Sequence, residues 1–121
     1  MRGAFAIFSC LLFLLVTADL DGAQAKADPK AGKAKYDQLC VGCHGASGKG
    51  DGPAAAALNP KPGDFTDCKE MAKESDATLF RVIKEGSQSV GRSPMMPGWK
   101  GSLKDPEIRD VVAYLRSLCK K

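Results

Sequence analysis

An all-α domain is predicted, on three observations. Three segments carry apolar residues at helical spacing with start and stop signals at their ends; no stretch alternates apolar and polar residues over as many as four positions; and long Gly- and Pro-rich loops separate the segments. The first helix opens at Asp28 as N-cap with Pro29 in the first helical position and runs to about Cys40, which puts Gly32, Tyr36 and Cys40 on one face. The second runs from about Ser75 or Asp76 to Glu85, burying Leu79, Val82 and Ile83, and Gly86 is suited to end it. The third has Asp105 as N-cap, Pro106 in the first position and Glu107 in the first turn, with Ile108, Val111, Val112, Leu115, Leu118 and Cys119 at helical spacing. Ala54 to Ala57 offer one further helical turn, which Pro60 and Pro62 stop. The two loops between the helices are long for so small a domain, and such loops are functional or disordered.

The 121 residues divide into an expected leader and one domain. Residues 1–25 have Arg2 at the start, an apolar run from Ala4 to Val16 and an A-x-A site at Ala23, Gln24 and Ala25, the pattern of a secretory signal peptide cleaved before Lys26. A second, weaker cleavage site lies at Val16 to Ala18, and Cys10 reads as a small hydrophobe within the apolar run. An uncleaved anchor is the alternative, but the run is shorter than the roughly 20 residues a span requires. Residues 26–121 are expected to be an exported domain, periplasmic in a bacterium, and nothing in them is apolar enough to span a bilayer.

That domain looks too poor in aliphatics to fold alone. Leu, Ile, Val and Phe number fifteen among its 96 residues, against eleven Gly and seven Pro, a proportion at which disorder is suspected. A large α/β enzyme, a coiled coil and a multispan membrane protein are excluded. Either the segment is disordered or something other than amino acids fills its centre. The formal charge is +4 overall, and the leader holds one Arg against two Asp, so residues 26–121 carry +5. Their thirteen Lys form no basic run interleaved with aromatics, which argues against nucleic acid as partner. A lysine-bearing face that steers docking to an acidic protein fits this charge, as does an ordinary solvated surface.

Cys40, Val41, Gly42, Cys43 and His44 spell C-x-x-C-H, the attachment signature for c-type haem. Thiols three positions apart at a helix end reach the two vinyl groups of one porphyrin, and the adjacent imidazole lies within reach of iron. A redox-active dithiol would want a strand before the motif, and none is there. Zinc would want two more Cys or His nearby, whereas His44 is the sole histidine. The sixth iron position therefore falls to another residue type, and a thioether is the natural candidate. Met71, in a stretch rich in Lys and Glu, reads as a packing residue. Met95 and Met96 sit in a loop stiffened by Pro94 and Pro97, and Met96, directly before Pro97, is preferred as ligand over Met95.

With these residues in hand, the chain resembles a class I cytochrome c, in particular the small bacterial single-haem type related to the haem subunits of cbb3-type oxidases and to c6-like carriers. CVGCHG followed by GKGDGP resembles the family's haem-binding start, MMPGW its methionine loop and DVVAYLRSL its last helix. The resemblance covers residues 28–121 and implies a small cytochrome c fold: three main helices and Gly/Pro-rich loops wrapped around one covalent haem held by Cys40 and Cys43. It implies that the first and last helices cross, with Gly32 and Tyr36 at the crossing and Tyr114 opposite. It also implies that the Pro53 carbonyl accepts the other N–H of His44, although Pro53 reads equally as a simple turn residue. Trp99 is expected to line the haem edge or bond a propionate, or else to pack in the core.

Cys68 and Cys119 remain, and an even remainder in an oxidising compartment suggests a disulfide, the alternative being one buried and one exposed thiol. The function expected is that of a monomeric one-electron carrier between redox proteins, with no catalytic acid or base. Two alternatives stay open: a dedicated haem subunit of one respiratory or oxidoreductase complex, and a haem peroxidase or gas sensor with a displaceable Met, for which Arg92 lies close enough in sequence to assist.

Overall fold

A computed structural model of the chain describes residues 25–119. The expected leader, apart from Ala25, lies outside the described residues, and so do Cys10, Lys120 and Lys121. Five α-helices follow in order: α1 (Pro29–Leu39), α2 (Val41–His44), α3 (Cys68–Ala72), α4 (Asp76–Glu85) and α5 (Asp105–Leu118), with 3-10 turns at Ala55–Ala57 and Ser87–Val90. Among the described residues, extended pairing is confined to one isolated bridge between Gly86 and Pro97.

The three main helices form where their end signals lie. Asp28 caps α1, its Oδ1 accepting from the Lys30 N–H at 2.8 Å. Ser75 caps α4 by accepting from the Thr78 N–H at 3.0 Å, and α4 buries Leu79, Val82 and Ile83 before Gly86 ends it. The start of α5 differs by one residue from expectation: Lys104, not Asp105, is the N-cap position. The reason is a division of labour between two carboxylates. Glu107 accepts from the Lys104 N–H at 2.8 Å, while Asp105 is engaged by Lys84 at 2.9 Å. The alanine run supplies its expected turn, and α3 is additional, capped by Asp67 through the N–H groups of Lys69 and Glu70 at 3.0 and 3.2 Å.

The core sits where α1 crosses α5. Gly32 faces the α5 backbone so closely that a Cβ there would stand 1.9 Å from the Asp110 carbonyl oxygen. Tyr36, fully buried, meets Tyr114 edge-on with ring centroids 5.1 Å apart. The Tyr36 hydroxyl donates to the Gly45 carbonyl at 2.7 Å, which ties the crossing to the end of α2. The Asp28 N–H donates to Asp110 Oδ1 at 2.8 Å, and Lys35 pairs with Glu107 at 2.8 Å. Ile108, Val111 and Leu103 complete the packing, and Met71 is buried among them, in accord with its reading as a packing residue. Gly32→Ala is expected to force the two backbones apart and destabilise the folded protein by about 1–3 kcal/mol, read as a lowered thermal midpoint.

Candidate haem-attachment site

The C-x-x-C-H segment is held as a short turn of its own because the following loop satisfies its carbonyls. The Gly50 N–H donates to the His44 carbonyl at 2.8 Å, the Gly52 N–H to Cys43 at 3.1 Å and the Ala54 N–H to Gly42 at 2.9 Å. These groups would otherwise be the unpaired last carbonyls of a helix. The packing requires glycine at position 52, where a Cβ would lie 2.5 Å from the carbonyl oxygens of both Val41 and Gly42. The run GKGDGP thus acts as a backbone clamp beneath the motif.

A cavity of about 240 Å³ opens against this turn. Cys40, Cys43 and His44 line it on one side, and Met95, Met96 and Trp99 line it from the loop after α4. Its apolar wall comes from Leu79, Val82 and Ile83 of α4 and Leu115 of α5, so one set of side chains faces both core and cavity. The two methionines differ in exposure: Met96 is partly buried and packs against the core, while Met95 is 50 % exposed. Trp99 is partly buried against the same cluster, and its N–H donates to the Ile83 carbonyl at 2.8 Å through the backbone.

Three residues fall elsewhere. Pro53 is exposed and outside the cavity lining. His44 Nδ1 is buried with no hydrogen-bond partner, and the imidazole stacks on Phe65, centroids 4.7 Å apart. Phe65 carries no motif signal; its position follows from its N–H donating to the Gly48 carbonyl at 2.7 Å, a tertiary contact. Cys68 and Cys119 lie outside the lining but meet each other, their Cα atoms 5.2 Å apart.

The residues present fit a covalently held haem. Cys40 and Cys43 are both free thiols at the cavity wall. Burial, with Cys43 adding to it, pushes the Cys40 thiol up to about 11, which makes it a protonated thiol at neutral pH rather than a thiolate poised for dithiol exchange. Burial also holds His44 below its ordinary value, opposed by the Gly63 backbone, so the ring is neutral at pH 7, the state a metal ligand requires. Its Nδ1 is committed to no other group of the fold. Among the described residues no three His, Cys, Asp or Glu side chains gather as a metal site, which separates this arrangement from a zinc centre built of side chains alone.

A small helical domain that presents two thiols, one imidazole and a thioether around an apolar cavity defines a protein of the c-type haem class. The chain belongs to the cytochrome c family, whose family model, described as Cytochrome c, matches residues 29–119. Membership implies electron transfer and covalently bound haem c. The chain is 30 % identical to cytochrome c6 of Synechocystis sp. over 113 residues, 93 % of this chain and 83 % of that protein. It is 33 % identical over 91 residues to the cbb3-type cytochrome c oxidase subunit FixP of Bradyrhizobium sp., 75 % of this chain and 28 % of the subunit, so it spans little more than a quarter of that relative. Among solved structures, the KustC0563 c-type cytochrome superposes with a TM-score of 0.59 at 28 % identity, covering 74 % of this chain and 98 % of that one. Cytochrome CL of Methylophaga aminisulfidivorans superposes with a TM-score of 0.56 at 28 % identity, covering 75 % and 53 %.

Proposed function

We propose that this protein is an exported, monomeric, single-haem electron carrier. Residues 1–25 are the signal peptide, residues 26–121 form the working domain in the periplasm, and Cys40 and Cys43 bear the haem. His44 and Met96 would hold its iron, and redox proteins are the donor and acceptor. The observation that carries this reading is the common cavity lined by Cys40, Cys43 and His44 from one segment and by Met96 from another.

When bound, haem supplies an iron that accepts and releases one electron. The protein's residues set the terms of that exchange. His44 offers a neutral imidazole nitrogen, and Met96 offers a soft thioether, a pair that favours the reduced state and raises the potential. Leu79, Val82, Ile83 and Leu115 keep water from the cavity, which limits reorganisation when the charge changes. Trp99 closes the loop side. With both residues holding the iron, the domain would need no catalytic acid or base. A free carrier is favoured over a dedicated subunit because the similarity to cytochrome c6 covers most of both chains. Among the described residues no helix is long and apolar enough to cross a membrane.

A disulfide between Cys68 and Cys119 belongs to the same proposal, supported by a Cα separation that suits a bridge. Closing a loop with a sequence separation of 51 would contribute roughly 4 kcal/mol by chain entropy. A haem-stained gel, intact mass and thiol alkylation of the exported protein test these points together. The expected result is the mass of residues 26–121 plus one haem, with no alkylatable thiol under non-reducing conditions. Two alkylated cysteines would end the disulfide reading, and a mass lacking haem would end the carrier reading.

A further inference from the structure

We infer that Ser87 is the positioning residue of the methionine loop: it fastens both ends of residues 92–96 and so keeps Met96 against the cavity. This rests on reading Met96 as the sixth ligand. Within the loop the Met95 N–H reaches the Ser93 hydroxyl at 3.3 Å, but Pro94 and Pro97 have no N–H to donate and the segment forms no helix. Its other restraints come from outside.

Beside an ion pair between Arg92 and Glu74 and the Gly86–Pro97 bridge, they converge on one residue. The Ser87 N–H donates to the Met96 carbonyl at 3.2 Å, the Ser87 carbonyl accepts from the Arg92 N–H at 3.1 Å, and Ser87 Oγ donates to the Ser93 carbonyl at 2.5 Å. The same hydroxyl stands 3.5 Å from the Met96 carbonyl. Ser87 is 9 % exposed, and it lines the same cavity as His44 and Met96. A hydroxyl taken out of water stays there only if its hydrogen bond is kept. Beyond the loop, the Trp99 and Lys100 N–H groups donate to the Ile83 and Lys84 carbonyls at 2.8 and 3.1 Å. Release of Met96 therefore requires the Ser87 contacts to break while the far side stays anchored to α4. Ser89 is the natural control: its hydroxyl donates to the Gly86 carbonyl at 2.6 Å, within its own turn.

Imidazole added to the ferric holoprotein occupies the iron only when Met96 leaves, so its affinity reads the cost of opening the loop. Ser87→Ala is expected to tighten imidazole binding roughly fivefold, the equivalent of one hydrogen bond, whereas Ser87→Thr and Ser89→Ala stay within about twofold of the parent. Parental affinity in Ser87→Ala, with the methionine-to-iron charge-transfer band lost in Met96→Ala, would overturn the role of Ser87 alone. A band that persists in Met96→Ala would overturn the ligand reading itself, and the inference with it. A measurement free of variants runs beside these: amide exchange in the unaltered holoprotein. Saturating imidazole should remove protection from the Ser87 N–H and leave Val111, deep in the helix crossing, protected. A Ser87 amide still protected with imidazole bound would overturn the inference.

Discussion

Met96→Ala is expected to abolish the methionine-to-iron charge-transfer band of the oxidised protein and to lower its reduction potential, while Met95→Ala leaves both near the parent. The two residues are chemically identical neighbours, and only their surroundings separate them. Met96 lies against the core with its carbonyl held by Ser87; Met95 is half exposed, and its N–H reaches the Ser93 hydroxyl at 3.3 Å. Axial ligands span a potential range of roughly 0.8 V among haem proteins, so loss of a thioether should appear as a fall on the order of 0.1 V in a spectroelectrochemical titration. Retention of the band in Met96→Ala with its loss in Met95→Ala would exchange the two assignments.

The second large effect is expected from the haem-free chain. Residues 26–121 bearing Ser at both positions 40 and 43 should show no cooperative thermal transition, against a holoprotein whose stability falls in the ordinary range of about 5–15 kcal/mol. Leu79, Ile83 and Leu115 belong to the buried core and also form the cavity wall. Beside them Leu39, Leu58, Phe65, Met96 and Trp99 line the cavity and are only partly buried; filling the cavity covers them, at roughly 25 cal/mol for each Å² of apolar surface. A domain with so few aliphatics has no reserve to offset the loss of that cover. Circular dichroism and calorimetry on the Ser variant would decide the matter, and a sharp, heat-absorbing transition would refute the expectation.

How far the sequence reached can be traced residue by residue. Asp28, Pro29, Ser75 and Gly86 announce the ends of α1 and α4 because capping is local chemistry, and α4 and α5 show their buried faces through spacing. The start of α5 was displaced by one position because Lys84, twenty-one residues away, claims Asp105. Helix α3 is five residues long, too short for periodicity to register, and the sequence marks it with little more than Asp67. At the site, Cys40, Cys43, His44 and the methionine loop, which line one cavity, were visible in the sequence as a pattern of spacing. Ser87 and Phe65 were not. Each sits in a run that reads as ordinary loop; Phe65 gains its contacts from His44 and Gly48, distant in the chain, and Ser87 from residues 92–96 a few positions beyond its own turn. Pro53 was singled out by resemblance alone, and it lies exposed and outside the cavity lining.

The crossing of α1 and α5 also imposes an order in time. Gly32 and Asp28 meet Asp110, so the contact joins opposite ends of the domain. It cannot form on a growing chain until nearly the last helix has been made, and closing so long an intervening segment is slow in the way that all distant pairings are slow. Cys40, Cys43 and His44 lie early in the chain. Their thiols and imidazole are therefore synthesised, and remain open to whatever chemistry acts on them, before the two terminal helices can close over the far side of the core.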